Sequence, residues 1–201
     1  MSLQRQDKPK NSKSKKQDWA LEQYFDREYR AGGKHEFLNG EIRAMAYTSI
    51  THGDLLTNLF KALLRCKEFD NCKLYGSDRM IYVPNCNNIY YPDLVIVCGE
   101  HEFKIHKRTM KATLNPSVLI EITSPSTESE DRIDKWACFK TIPSLKQYII
   151  VSHRKKAVEI YNRMEEDMNK WINSEVKEEE EYVEIEDCKI LLKDIYNKVI
   201  L

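Results

Sequence analysis

The sequence predicts an α/β fold in which a mixed central β-sheet is flanked by helices. Residues 93–98 and 117–122 are nearly continuous runs of aliphatic and β-branched side chains, which is typical of strands that are buried on both faces. A helix-forming segment directly follows the second run, and a leucine-rich helical pattern precedes the first. Helices and buried strands in this order indicate layers of helix packed on sheet.

The N-terminal part of the sequence is predicted to form two helices and a hairpin. Asp18 can cap a helix that runs to about Arg30. Asn39-Gly40 then lies between two arms of alternating apolar residues, which is the strongest short signal for a β-hairpin. A second helix is predicted where His52 is followed by leucines at helical spacing. Further strands are predicted at 73–75 and 78–83.

The C-terminal part predicts one more helix and several strands. Thr127 and Glu130 have the spacing of a capping box, so a helix is predicted to begin there. A buried-type strand follows at 147–151, and a basic turn at 153–156 leads into a further strand at 157–161. A hairpin at 182–192 precedes a helix over 192–200. Without a repeat or a linker, residues 18–201 are predicted to form one domain.

Composition sets the class of protein. The chain has 201 residues, 41% hydrophobic and 32% charged, with no net charge, which is ordinary for a globular protein with one core. It contains no apolar run that could span a bilayer and no signal-peptide pattern, which predicts a cytoplasmic protein without a membrane partner. Residues 5–16 carry six cations against one acid, so residues 1–17 are predicted to be a disordered basic tail that touches nucleic acid or aids solubility.

The six cysteines form no CxxC pair. Cys98 and Cys138 lie in apolar segments, which favours reduced core residues over disulfides. Cys66 and Cys72 could bind zinc together with a histidine, but their spacing is poor for such a site.

Each of the two apolar runs carries one carboxylate, Asp93 in the first and Glu121 in the second. A buried carboxylate is costly unless a cation or a metal compensates it. Singly, Asp93 could cap a turn after Pro92, and Glu121 could pair with an arginine. Two such carboxylates on neighbouring strands favour a divalent cation between them, and Mg²⁺ prefers oxygen ligands.

The motifs around these carboxylates resemble those of the Uma-family endonucleases, a branch of the PD-(D/E)XK restriction-endonuclease-like superfamily. The resemblance runs from about His35 to Asn162 and is most specific in the run 121–127, which is followed at intervals of four by Asp131, Lys135 and Phe139. It implies a restriction-endonuclease-like core with an added N-terminal helix and β-hairpin. The implied function is metal-dependent hydrolysis of DNA phosphodiester bonds.

The resemblance also implies roles for particular residues. Asp93 and Glu121 would bind Mg²⁺, with Mn²⁺ as a substitute, and the backbone carbonyl of Ile122 would be a further ligand. The superfamily's lysine would stand at position 123, where this chain has Thr123. Lys135, on the following helix, is the predicted substitute, because a long side chain could point back at the site.

Other positions leave alternatives open. Lys135 could instead form a surface ion pair with Asp131 at i, i+4. Glu36 and His52 match family positions and are secondary candidates. The family tends to have a glutamate and an aspartate at two positions where this chain has Gln147 and Ser152.

The connection between the carboxylate strands is rich in cations. A loop that joins two catalytic strands is expected to stay near them, which predicts contacts with DNA phosphates. An ordinary solvated loop is the competing interpretation. The predicted DNA-binding residues are Lys104, Lys107, Arg108 and Lys111.

Two other classes of function compete with a nuclease. A non-catalytic nucleic-acid-binding domain on the same fold would have lost its site, and the presence of Asp93, Glu121 and Lys135 argues against that loss. A two-carboxylate glycosidase is disfavoured by the presence of only three tryptophans. A homodimer is implied by the resemblance alone.

Overall fold

A computed structural model describes residues 12–106, 110–124 and 128–201 of the chain. These residues form two six-stranded sheets, a C-terminal hairpin and several helices, which confirms the predicted mixed α/β class. No helix in these ranges is long and apolar enough to cross a membrane.

The central sheet has the strand order β12-β11-β10-β9-β6-β3. Strands β9 and β10 are parallel and the other neighbours are antiparallel, so the sheet is mixed as predicted. Its strands are β3 (Cys72–Gly76), β6 (Leu94–Cys98), β9 (Val118–Ile122), β10 (Gln147–Val151), β11 (Val158–Arg163) and β12 (Trp171–Val176).

A second sheet, with the order β2-β1-β5-β4-β8-β7, was not foreseen from the sequence. The connection at 99–116 supplies two of its strands as a hairpin and therefore is not a simple loop. The strands of this sheet are β1 (His35–Leu38), β2 (Glu41–Ala44), β4 (Ile81–Val83), β5 (Asn88–Tyr90), β7 (Phe103–His106) and β8 (Met110–Thr113).

Helices and a hairpin complete the fold. A helical segment that we call the site helix consists of α3 (Glu128–Glu130), a π-turn (Asp131–Lys135) and α4 (Trp136–Phe139). The other elements are α1 (Ser12–Glu28), α2 (Ile50–Leu63), a 3-10 turn (Lys67–Phe69), β13 (Tyr182–Ile185), β14 (Cys188–Leu191) and α5 (Leu192–Ile195).

The central sheet separates two apolar layers. Leu59 of α2 packs with Ile120 and Ile149 on one face, where the C-terminal hairpin and α5 also lie. On the other face, Leu119 and Tyr148 pack against the site helix and the second sheet. Because side chains alternate along a strand, each strand contributes to both layers.

The local predictions hold for the first hairpin and the second helix. Asn39 and Gly40 have positive φ values of 54° and 89°, as a two-residue hairpin turn requires. Ser49 caps α2 by accepting a hydrogen bond from the His52 N–H at 3.2 Å.

Two helix boundaries differ from the prediction. α1 begins at Ser12, so residues 12–17 of the predicted tail are helical. Lysine and glutamine are good helix formers and extend the helix towards the N-terminus. The last helix covers only Leu192–Ile195 of the predicted 192–200. The predicted cap at Thr127 and the rest of the tail lie outside the described residues.

The prediction that Cys98 and Cys138 are reduced core residues is wrong. The fold pairs all six cysteines, as Cys66–Cys188, Cys72–Cys98 and Cys86–Cys138. The partners are 122, 26 and 52 residues apart in sequence, so their proximity comes from tertiary packing, which no spacing rule reports. Since Cys66 and Cys72 each bond another cysteine, the zinc alternative also fails.

Candidate active site

Asp93 and Glu121 lie side by side at one end of the central sheet. Strands β6 and β9 are antiparallel neighbours with Leu94 opposite Ile120, which places the preceding Asp93 beside Glu121. Both residues are buried, with 8% and 3% of their surface exposed. Asp93 Oδ2 accepts a 2.7 Å hydrogen bond from the Ile122 N–H. The structure thus brings the two predicted carboxylates together on the face that the site helix covers.

Lys135 reaches this pair from the site helix. Its Nζ lies 2.9 Å from Glu121 Oε1 and 3.0 Å from Asp131 Oδ1. Glu36 Oε1 is 4.0 Å away. Only 7% of Lys135 is exposed, so the alternative of a surface Asp131–Lys135 pair is wrong. The i, i+4 pair does exist, but the fold turns it inwards against β9.

Lys135 is the last residue of the π-turn, a conformation that is rare in helices and often found at functional sites. Tyr148 on β10 donates a 3.0 Å hydrogen bond from its hydroxyl to the backbone carbonyl of Asp131. The Tyr148 ring is fully buried and packs against Trp136 and Phe139. Tyr148 therefore ties the π-turn to the sheet.

Glu36 and His52, the secondary candidates, also belong to the site. His52 Nε2 lies 3.1 Å from Asp93 Oδ1, so the start of α2 supports the first carboxylate. Glu36 of β1 accepts a long, 3.5 Å hydrogen bond from the Tyr91 N–H. The site therefore draws on both sheets, α2 and the site helix.

Three acids, Glu36, Glu121 and Asp131, surround one buried lysine, and Asp93 lies beside Glu121. We call these four acids the carboxylate cluster. Burial raises the pKa of Glu121 well above its ordinary value, and Asp131 and Asp93 raise it further against the opposing effect of Lys135. Burial would lower the pKa of Lys135, but Glu121, Asp131 and Glu36 raise it well above its ordinary value. The site thus has a surplus of carboxyl groups over ammonium groups.

This surplus and the chemistry of the donors fit a divalent cation. Asp131 Oδ1 is buried and makes no hydrogen bond, although it lies within ion-pair distance of Lys135. Carboxylate oxygens are the ligands that Mg²⁺ and Mn²⁺ prefer. Within the described ranges, no group of three or more His, Cys, Asp and Glu side chains is already arranged around a common metal position. Asp93 and Glu121, which lie side by side on neighbouring strands, are the residues that could hold an ion.

The three departures from the family pattern have different surroundings. Thr123 is buried, and its Oγ1 lies 3.3 Å from His153 Nδ1. Gln147 stands at the other end of β10 and bonds to Asn162 and the C-terminal hairpin. Ser152 Oγ accepts backbone N–H groups of the following turn. The Gln147 difference is thus remote from the carboxylates.

Two of the predicted DNA-binding residues, Lys104 and Lys111, lie on a hairpin of the second sheet. Lys104 and Lys111 lie on β7 and β8, and strands β5 and β4 separate this hairpin from β1. Their ammonium groups lie over the rings of Tyr82 and Phe103, at 5.7 Å and 5.3 Å from the centroids. Lys107 and Arg108 lie outside the described residues. The connection thus crosses into the second sheet, and contact of these residues with DNA phosphates stays a prediction.

The sequence analysis gave no role in the site to Asp131 or Tyr148. It did name the other five residues, which are Glu36, His52, Asp93, Glu121 and Lys135. The i, i+4 spacing of Asp131 and Lys135 was visible in the sequence and was a usable signal. Tyr148 gave none, because a tyrosine in a buried strand is ordinary. Its contact with the π-turn depends on how β10 packs under the site helix.

Comparison with known proteins gives a consistent family. A family model described as "Uma2: Putative restriction endonuclease" matches residues 21–189. Two uncharacterised proteins of Synechocystis are similar. One, sll1609, is 28% identical over 84% of this chain and 93% of its own length. The other, slr1290, is 29% identical over 71% of this chain and 73% of its own length.

A solved structure shares the fold. The crystal structure of a "putative nuclease belonging to DUF820" from Anabaena variabilis superposes with a TM-score of 0.67 at 11% identity, and covers 87% of this chain and 98% of its own. The fold is therefore restriction-endonuclease-like, as the sequence resemblance implied. Because the family match spans most of the sequence, the chain belongs to the Uma2 family of restriction-endonuclease-like proteins.

Proposed function

We propose that this chain is a metal-dependent endonuclease that hydrolyses phosphodiester bonds of DNA. The observation that carries the proposal is the buried group of Asp93, Glu121 and Lys135, with Lys135 Nζ 2.9 Å from Glu121 Oε1. The family match supports a nuclease over other hydrolases.

In this proposal, Asp93 and Glu121 hold Mg²⁺, or Mn²⁺ in its place, and the backbone carbonyl of Ile122 is a further ligand. When bound, the cation would supply charge neutralisation at the phosphate and activation of water. His52 orients Asp93 through its 3.1 Å contact. Lys135 stabilises the negative charge that develops on the phosphate oxygens in the transition state.

Glu36 and Asp131 act on Lys135. With Glu121, they keep its ammonium charged despite burial. They also limit where the ammonium can lie, because it is held between oxygens of three elements. Preorganisation of this kind makes a cation effective in catalysis, since no reorganisation is needed during the reaction.

The cost of the site argues for catalysis over simple binding. Several buried acids around one lysine are expensive to desolvate, and apolar replacements of similar volume are often as stable or more so. A domain that only binds DNA can place its cations on the surface, where they stay hydrated. The buried arrangement is thus explained by chemistry that needs an enclosed, charged site.

Cleavage of supercoiled plasmid tests the proposal. The wild type should nick DNA with Mg²⁺ or Mn²⁺ and stop with a chelator, and Asp93→Asn should lose about a thousandfold in rate. Asp70→Asn, an exposed aspartate in the turn before β3, is the matched control and should cleave normally. Binding of plasmid by the wild type without any metal-dependent cleavage would indicate the non-catalytic alternative. The homodimer remains a prediction that light scattering checks.

Titration calorimetry measures metal binding independently of DNA cleavage. Mn²⁺ should bind the wild type and Asp70→Asn alike, and should bind Asp93→Asn and Glu121→Gln much more weakly. Equal Mn²⁺ affinity in all four proteins would contradict the assignment of these two ligands.

A further inference from the structure

A turn of four successive basic residues, His153, Arg154, Lys155 and Lys156, follows β10 after Ser152. We call it the basic turn. Strands β9 and β10 are parallel, with Val151 beside Ile122, so both leave the sheet at the same end. The basic turn therefore emerges next to the end of β9 that carries Glu121.

Direct contacts connect the basic turn to the site. His153 Nδ1 lies 3.3 Å from Oγ1 of Thr123, the residue that follows Ile122. Arg154 Nε lies 3.8 Å from Oε2 of Glu128, the first residue of α3. The turn thus borders both the end of β9 and the start of the site helix.

The base of the turn is held firmly. Ser152 Oγ accepts hydrogen bonds from the N–H groups of Arg154 and Lys155. The buried Tyr196 hydroxyl lies 2.7 Å and 2.8 Å from the carbonyl oxygens of Ser152 and Ala157. A fixed backbone presents its cations at a defined distance from the site and reduces the ordering cost of binding.

The basic side chains of the turn are largely exposed, and their ion pairs with neighbouring glutamates are weak. The side chains of Arg154, Lys155 and Lys156 are 57%, 59% and 44% exposed. Lys155 pairs with Glu175 and Lys156 with Glu179. Exposed ion pairs of this kind are weak and screened by salt, so phosphates can replace the glutamates.

We propose that the basic turn contacts the phosphate backbone of double-stranded DNA beside the bond to be cleaved. The inference rests on the proposed function for the identity of the polymer. We choose the basic turn over the hairpin of β7 and β8 because the turn contacts Thr123 and Glu128, whereas that hairpin lies at an edge of the second sheet.

Binding of a labelled DNA duplex, followed by fluorescence anisotropy over a series of salt concentrations with a chelator present, tests the inference without cleavage. The test variant carries Arg154→Gln, Lys155→Gln and Lys156→Gln. The control carries Arg65→Gln, Lys61→Gln and Lys189→Gln, which removes one arginine and two lysines from a cavity lined by α2 and β14.

The test variant should bind about 10- to 100-fold more weakly at low salt. Its slope of log K against log salt should become shallower by about 0.9 for each lost phosphate contact. The control triple should keep the wild-type slope. Conversely, Glu175→Gln with Glu179→Gln should tighten binding a few-fold, because Lys155 and Lys156 lose their competing partners.

An unchanged slope in the test variant, or an equal change in the control triple, would overturn the inference. So would a loss seen with single-stranded DNA but not with the duplex, or a wild type that does not bind duplex at all. A wild type that binds through the basic turn but never cleaves would instead refute the nuclease proposal and leave this surface in place.

Discussion

The two faces of the central sheet are built from different interactions. Beneath α2, Leu59 packs on Ile120 and Ile149 in a continuous apolar layer. At one end of the opposite face, three acids of the carboxylate cluster surround Lys135. The first region is stabilised by burial of aliphatic side chains, an interaction that does not depend on direction. The second region holds charges that cost free energy to bury, which fits the proposed catalytic role better than a role in stability.

The largest expected effect comes from removing the lysine. Lys135→Ala leaves Glu121 and Asp131 buried without their cation, which should cost about 3–5 kcal/mol of unfolding free energy and abolish plasmid cleavage. Urea unfolding and a cleavage assay, performed where the variant is fully folded, measure the two losses.

Leu59→Ala on the opposite face is the matched control for this comparison. It should cost a similar 2–5 kcal/mol through a cavity, while the folded fraction cleaves at the normal rate. If both variants lose stability but both still cut DNA normally, Lys135 is structural and the contrast between the two faces fails.

A smaller effect is expected for Tyr148→Phe, which removes only the hydroxyl that bonds the Asp131 carbonyl. Loss of this hydrogen bond should cost about 1 kcal/mol. A less constrained π-turn should lower kcat about tenfold with little change in KM. Tyr161→Phe removes a hydroxyl from a neighbouring ring of the same aromatic cluster and should keep kcat. Equal kcat values for both variants would show that the hydroxyl does not position Lys135.

The smallest effect concerns pH. Burial raises the pKa of Glu36 above its ordinary 4.5, against an opposing effect of Lys135. In the pH range from 4.5 to the raised pKa, the folded state binds more protons than the unfolded state, so stability falls as pH rises. One such group changes the unfolding free energy by at most about 1.4 kcal/mol per pH unit.

Glu36→Gln removes the titrating carboxyl group, so the unfolding free energy should fall less steeply as pH rises. Urea unfolding of both proteins at several pH values above 4.5 measures the difference. If the unfolding free energies of wild type and variant run parallel as a function of pH, burial does not raise the pKa of Glu36.

The sequence alone determined the local parts of this protein. Alternation and apolar runs identified β6, β9 and β10, the Asn39-Gly40 turn identified the first hairpin, and leucine spacing identified α2. These signals are local, because side-chain periodicity reports which faces of an element are buried. The same reasoning selected Asp93 and Glu121, since a carboxylate in an apolar strand stands out without any knowledge of the fold.

Only the tertiary structure decided how these parts meet. It placed the hairpin of β7 and β8 in a second sheet, and it brought Glu36 from that sheet to Lys135. It also paired cysteines up to 122 residues apart. Strand order and the winding of the π-turn depend on packing between distant segments, which a local pattern does not encode. For the same reason, the sequence could not decide whether Lys135 pairs with Asp131 on the surface or points into the candidate site. The packing of the site helix against β9 and β10 buries Lys135 beside Glu121.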